Sequence, residues 1–228
     1  MRRGFTLLAL ATALLLSFAL YEALIAAPTE QTMGDVQRIF YYHVPSAWTA
    51  FVLFLINFVS SIVYLIRRNP KADILALVSA EVGVVFCTVV IVTGPIWARP
   101  VWGIWWAPGD IRLTTTLVLW LIYISYLILR RMSTGGRTPV IAAVVAIFGA
   151  LDVPLVYFSI WFFRTQHPSP VIGGGGSLDP RMAHVLLINW AAFLCLAWLL
   201  SWVRYELEVA KRRVDEAQAM ESLQESSR

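Results

Sequence analysis

The chain has 228 residues, of which 59% are hydrophobic and only 14% are charged. A soluble domain of this size is about half apolar and about one-quarter charged, so the excess of apolar residues must face lipid. This composition excludes an ordinary soluble enzyme, a disordered chain and a disulfide scaffold. The two cysteines, Cys87 and Cys195, lie in separate apolar runs, and their spacing predicts neither a thiol redox centre nor a thiolate metal site.

Six apolar segments approach or exceed the length of about 20 residues that a helix needs to cross a bilayer. These segments are Phe5–Ala27, Ala47–Ile66, Ile74–Trp97, Leu113–Leu129, Val140–Phe163 and Met182–Val203. The sequence therefore predicts an all-α integral membrane protein built as a six-helix transmembrane bundle. Arg2 and Arg3 precede the first segment as in a signal peptide, but its apolar run is too long and its cleavage site is poor. We therefore expect an uncleaved first helix.

The distribution of basic residues predicts which side of the membrane each connection faces. Thirteen of the 18 lysines and arginines lie in the termini and in the second and fourth connections. The remaining five are Arg38, Arg99, Arg112, Arg164 and Arg181. Both termini are therefore predicted to be cytoplasmic. Residues 1–204 would form the membrane domain, and residues 205–228 would form a charged cytoplasmic tail that reads as a solvated helix.

The unusual side chains collect in the connections predicted to face outward. All three histidines, His43, His167 and His184, lie in these connections or at a helix end beside one. The middle connection, residues 97–112, holds Trp97, Arg99, Trp102, Trp105, Trp106, Asp110 and Arg112. An aromatic belt at the headgroup level needs only one or two rings for each helix end. Four tryptophans interrupted by proline and glycine instead indicate an apolar shelf, and the neighbouring arginines indicate an anionic ligand.

Haem matches this set of side chains better than zinc does. Few acidic residues and no cysteine accompany the histidines, which disfavours a zinc site. Haem iron takes axial imidazole ligands, its macrocycle suits contact with indole rings, and its propionates pair with guanidinium groups. The outer connections are therefore interpreted as a haem site.

Three sequence blocks between Asp35 and Arg181 resemble those of the CcmC family, whose members are haem-handling membrane proteins of cytochrome c maturation. The blocks are Arg38–Ala47, then Val92–Trp106 with Asp110–Thr114, and lastly Val153–Pro168 with a continuation near Leu178–Met182. The second block is similar to the family's tryptophan-rich WWD signature. It departs from that signature at Ala107–Gly109, where one residue is inserted and the third tryptophan is missing, so the position of Asp110 is uncertain from sequence.

The resemblance implies a haem-binding and transfer protein of the cytoplasmic (inner) membrane that is neither an enzyme nor an ATPase. It would hold haem b on the outer side and pass it to a CcmE-type haem chaperone, together with ABC-type CcmA/CcmB-like subunits. Membrane lipid would be a further partner, and nucleic acid would not. The axial ligands implied by the motifs are His43 and His167, with His184 as a weaker alternative. The implied haem platform and propionate-binding candidates are Trp97, Trp102, Trp105, Trp106, Asp110, Arg99, Arg112 and Arg164.

Two other functions are compatible with parts of the sequence. A bis-histidine cytochrome would need a path for electrons through the bundle, and no second histidine pair lies inside the spans. A proton or solute transporter could use Glu81 and Asp152, because ionisable groups inside spans are often functional. The simpler interpretation is that both acids are protonated or hydrogen-bonded to Asn57, Asn189 or hydroxyl groups across helices.

Overall fold

The computed structural model describes residues 2–133, 135–163, 165–167 and 178–226, and within these ranges it contains helices and no β-strand. The helices are α1 Arg2–Tyr21, α2 Phe40–Arg67, α3 Pro70–Trp102, α4 Ile111–Met132, α5 Thr138–Ala150, α6 Asp152–Phe162 and α7 Pro180–Ser226. A π-helical turn, Glu22–Ala26, extends α1, and a 3-10 turn, Asp35–Ile39, leads into α2. Six helical segments are long and apolar enough to cross a membrane, α5 and α6 together making one of them. The predicted six-helix membrane bundle is confirmed.

The fifth span is two helices, whereas the sequence predicted a single segment from Val140 to Phe163. The helical axis is interrupted at Leu151, between α5 and α6. Pro154 explains this break, because it cannot donate a hydrogen bond to the carbonyl of Ala150 and its ring crowds that carbonyl. Leu151 keeps helical dihedral angles, and both α5 and α6 contact α4, so the two helices still form one span.

Two helices extend beyond their predicted ends. Helix α3 continues to Trp102 and ends at Gly103, which adopts a φ of 76°, so Trp97 and Arg99 lie on a helix and not in a loop. Helix α7 continues without interruption past Arg204 to Ser226. The predicted border between membrane domain and tail at residue 204 therefore falls inside one helix, and most of that helix beyond Arg212 is exposed.

The centre of the bundle is a tightly packed contact between α2, α3 and α4. Gly83 of α3 lies so close to α2 that a Cβ atom there would be 2.7 Å from the ring of Phe54. Phe54 in turn stacks on Tyr123 of α4, with ring centroids 3.8 Å apart. Asn57 is fully buried here, donating to the carbonyl of Ala76 at 2.7 Å and accepting from the Tyr123 hydroxyl at 3.3 Å. Small residues and one satisfied amide thus hold the three helices together.

A network of ion pairs closes the end of the bundle where α3 begins. We call this network the charged cluster, and it consists of Asp73, Glu81, Arg130, Arg204, Glu208 and Arg212. Arg130 of α4 and Arg212 of α7 both donate to Asp73, the latter at 2.7 Å. Glu208 accepts from Arg204 at 3.0 Å and from Arg212 at 3.2 Å. The charged cluster therefore ties the tail of α7 to the membrane helices.

The charged cluster also corrects the expected environment of Glu81. Its carboxylate accepts from Arg204 at 3.0 Å, and neither asparagine is its partner. Asn57 donates to Ala76 as described, and Asn189 donates to the carbonyl of Val185 at 2.9 Å. Asp152 is buried, and one of its carboxylate oxygens has no hydrogen-bond partner among the described residues.

Candidate binding cavity

A cavity of about 620 Å³ lies at the opposite end of the bundle from the charged cluster. Ligand sites in proteins commonly measure about 300–1,000 Å³, so its volume suits a cofactor-sized molecule. Its walls come from α2, α3, α4, α6 and α7, and from Met33, Trp106, Gln166 and His167 in the connections. The deep part is lined by apolar side chains such as Phe51, Val90 and Val156, and the polar side chains lie toward the helix ends.

His43 lies in the first turn and a half of α2 and contributes an imidazole to the cavity wall. Its Nδ1 atom is 2.8 Å from the hydroxyl of Thr93 on α3. The Thr93 hydroxyl also donates to the carbonyl of Val89 at 2.7 Å. The imidazole meets the indole of Trp97 edge-on, with ring centroids 5.8 Å apart. Helix packing and one hydrogen bond therefore fix this ring.

His167 approaches the same cavity from the short segment of residues 165–167, which precedes α7. Its ring meets Trp102 edge-on at a centroid distance of 5.2 Å, and its Nδ1 atom is 3.6 Å from Asp110. Burial and the nearby Arg112 guanidinium lower the pKa of His167 to about 4, although Asp110 opposes this shift. The imidazole is therefore neutral at pH 7, which is the form that can coordinate a metal.

Asp110 lies behind the cavity wall and holds two segments together. It caps α4 by accepting from the backbone N–H of Leu113 at 3.1 Å. Its other oxygen accepts from the Thr165 hydroxyl at 2.5 Å and from the backbone N–H of Gln166 at 2.9 Å. Burial alone would raise the pKa of Asp110, but these hydrogen bonds lower it, so the carboxylate is ionised. Asp110 thus anchors the segment that carries His167.

Three of the four predicted platform tryptophans line the cavity, namely Trp97, Trp102 and Trp106. The fourth, Trp105, is 59% exposed and is not part of the lining. Two tryptophans that were not predicted as platform residues complete the aromatic wall: Trp48 of α2 and Trp190 of α7 meet edge-on with centroids 5.1 Å apart.

The position of Trp190 in the sequence indicates a role beyond a headgroup-level belt. It lies eight residues after Met182, about 12 Å along the helix, and therefore well below the headgroup level where belt tryptophans occur. A tryptophan at that depth indicates packing or ligand contact. The buried indole nitrogens of Trp97 and Trp190 have no hydrogen-bond partner among the described residues, so the wall retains unused donors.

The arginines predicted for an anion occupy different environments. Arg112 lines the cavity, and within the described residues its guanidinium makes no hydrogen bond or ion pair. Arg99 donates to the carbonyl of Gly103, and Arg38 donates to the carbonyl of Ala23 at 2.8 Å, so these two brace the backbone. Arg164 lies outside the described residues.

His184 is separated from the cavity. It lines a small surface depression together with Glu22, Pro28 and Arg181. The structure therefore brings His43 and His167 to one cavity with Arg112 and leaves His184 elsewhere. The described residues contain no group of three or more His, Cys, Asp or Glu side chains that could hold a bare metal ion. Two imidazoles, a guanidinium with no hydrogen-bonded partner among the described residues and several indoles instead fit the haem that the sequence predicts.

Comparison with known proteins places the chain among a defined set of relatives. A family model described as "Heme exporter protein C" matches residues 1–220. The "Heme exporter protein C" of Bradyrhizobium diazoefficiens is 34% identical over 218 residues, which cover 94% of this chain and 82% of that protein. The protein of the same name from Escherichia coli K12 is 30% identical, covering 82% of this chain and 77% of that protein. A "Putative cytochrome c biosynthesis ccmC-like mitochondrial protein" from Marchantia polymorpha is 30% identical, with coverage of 80% and 78%.

Proposed function

Since the chain belongs to the CcmC, or heme exporter protein C, family and has a role in haem handling for cytochrome c maturation, we propose the following mechanism of haem handling. It binds haem b in the cavity that His43, His167 and Arg112 line, and it passes that haem to a CcmE-type chaperone on the outer side of the cytoplasmic membrane. ABC-type CcmA/CcmB-like subunits would act with it. The chain itself binds and releases haem and is not an ATPase or another enzyme.

The observation that carries this proposal is the meeting of His43, His167 and Arg112 at one aromatic cavity. Two imidazoles would fill both axial positions of the haem iron, which discourages oxygen chemistry and suits a carrier. Arg112 would pair with a propionate, since a half-buried guanidinium with no hydrogen-bonded partner among the described residues is stabilised by an anionic ligand. The indoles of Trp97, Trp102 and Trp106 would supply apolar contact with the macrocycle.

The two histidines are held differently, and this difference supports a direction of release. His43 belongs to a long helix and has a hydrogen-bonded partner at 2.8 Å. His167 lies outside the helices, in the connection between α6 and α7, and its Nδ1 atom is 3.5 Å from Thr165 and 3.6 Å from Asp110. These longer contacts constrain a ring less than a short hydrogen bond does. We infer that His167 is the ligand released during transfer while His43 keeps the iron.

The proposal is tested by the haem content of the purified full-length protein, measured as a pyridine haemochrome. We expect haem b with a low-spin, bis-imidazole visible spectrum when the chaperone is missing from the host. Co-expression of the chaperone should lower the haem content of this chain and raise that of the chaperone. A protein that never carries haem, or whose haem is unaffected by the chaperone, would contradict the proposal.

A further inference from the structure

Thr93 occupies a position between His43 and the backbone of its own helix. Its hydroxyl oxygen is 2.7 Å from the carbonyl oxygen of Val89 and 2.8 Å from Nδ1 of His43. A threonine hydroxyl carries a single hydrogen, and a backbone carbonyl can only accept. The hydrogen is therefore donated to Val89, and the Thr93 oxygen is left to accept from His43.

This assignment fixes the protonation pattern of the His43 ring. A neutral imidazole has one N–H group, and here that group must be at Nδ1, because Thr93 offers an acceptor there. The lone pair is then at Nε2. We propose that Thr93 is a positioning residue that sets the tautomer and the orientation of His43, so that Nε2 is the atom presented to the haem iron. This inference rests on the proposed haem-binding function.

The surroundings of the ring support an orienting role. On one side His43 contacts the edge of Trp97. On another side its Cε1 atom lies over Gly94, 3.5 Å from where a Cβ atom would be. A ring flip within this slot would put a carbon atom against the Thr93 hydroxyl and lose the hydrogen bond. Thr93 does not itself line the cavity, so it can act on a ligand only through His43.

A second threonine on α3 provides a matched control. Thr88 donates to the carbonyl of Val84 at 2.7 Å and accepts from the Trp120 indole N–H at 2.8 Å, so it makes the same two kinds of bond. It does not line the cavity. Thr93→Val and Thr88→Val therefore make the same chemical change in the same helix, and only the first removes the acceptor for His43. Thr93→Ser keeps the hydroxyl and tests rescue.

The experiment combines two measurements on the full chain. In the haem-free protein, ¹⁵N NMR of the histidine rings reports which nitrogen of His43 carries the proton. In the haem-loaded protein, a titration gives the affinity and spectroelectrochemistry gives the reduction potential. Loss of an outer-shell partner commonly weakens metal binding about 10- to 100-fold and makes the imidazole a poorer electron donor.

We expect Thr93→Val to give a mixture of His43 tautomers, a haem affinity lowered about tenfold and a raised reduction potential. Thr93→Ser and Thr88→Val should match the wild type in all three. A Thr93→Val protein with the wild-type tautomer, affinity and potential would overturn the inference. The haem-binding proposal has its own test, because it is contradicted if His43→Ala leaves the haem spectrum unchanged. In that case the NMR measurement on the haem-free protein still shows whether Thr93 sets the tautomer of His43.

Discussion

The two ends of the bundle differ in whether their charged side chains are paired. In the charged cluster, every acidic side chain meets an arginine within 3.2 Å across α3, α4 and α7. At the cavity, the half-buried guanidinium of Arg112 has no such partner among the described residues. The first arrangement is complete within the protein, whereas in our proposal the second is completed by an anionic ligand. We therefore propose that the charges of a structural site are paired within this protein and that the charge of its binding site is not.

The largest expected contrast between the two ends is their side of the membrane. We predict that a reporter active only outside the cytoplasm is active when fused after Trp105, near the cavity, and inactive when fused after Gly135, near the charged cluster. The reason is the excess of basic residues at the Gly135 end. An active fusion at Gly135 would reverse the topology and place the cavity on the cytoplasmic side.

Breaking the charged cluster should destabilise the fold. Asp73→Asn removes the charge that Arg130 and Arg212 share. Arg212 keeps its contact with Glu208, but the buried Arg130 loses its ion pair, which costs about 3–5 kcal/mol. We therefore expect a markedly lower midpoint of unfolding in detergent, followed through tryptophan fluorescence. The folded fraction should retain its haem spectrum. Unchanged stability would show that this network is not structural.

Removing the charge of Arg112 at the cavity should weaken haem binding and leave the stability of the fold intact. Arg112→Gln takes away a half-buried charge that has no ion pair among the described residues, so we expect stability to be unchanged or slightly raised. Haem affinity should fall about tenfold or more, because a hydrogen bond to a charged group contributes about 1.5–3 kcal/mol. Arg99→Gln is the matched control, since Arg99 already donates to Gly103, and it should bind haem normally. Equal haem affinity in Arg112→Gln and the wild type would reject the role of Arg112.

A smaller effect is expected at Asp110, whose carboxylate is paired within the protein and also holds the segment that carries His167. Its pKa is lowered in the fold, so the bonds to Thr165 and Gln166 are present at neutral pH and are lost only when acid protonates the carboxylate. Asp110→Asn replaces charged hydrogen bonds by neutral ones, which costs about 1 kcal/mol for each bond. We predict a haem affinity lowered about fivefold and faster hydrogen exchange at Gln166. Exchange at wild-type rates would contradict the anchoring role.

The sequence predicted the membrane spans well, because each depends on a local run of apolar residues. It did not predict the break at Leu151, since Pro154 acts on a carbonyl one turn away and helix breaks at proline depend on neighbouring helices. The partner of Glu81 was also missed. Arg204 is 123 residues distant in the chain, and only the packing of α3 against α7 brings the two together.

The sequence predicted those parts of the candidate site that depend on a local pattern of residues, and it missed those that depend on packing between distant segments. Clustering of rare residue types in the outer connections selected the tryptophan loop and all three histidines, and only the family resemblance favoured His43 and His167 over His184. The sequence could not say that Arg112 would line the cavity while Arg99 would brace Gly103, because both arginines belong to the same connection. Trp190 contributes from a different span, where no local pattern links it to the loop.

The central claim is that His43 and His167 ligate one haem, and the visible spectra of the two alanine variants test it most directly. Loss of an axial ligand should cost more than the 10- to 100-fold in affinity that an outer-shell partner costs. We predict that His43→Ala and His167→Ala each lose the low-spin signal, that added imidazole restores it by refilling the open position, and that His184→Ala behaves as wild type. If His184→Ala alone removes the signal while His167→Ala keeps it, the ligand pair is wrong.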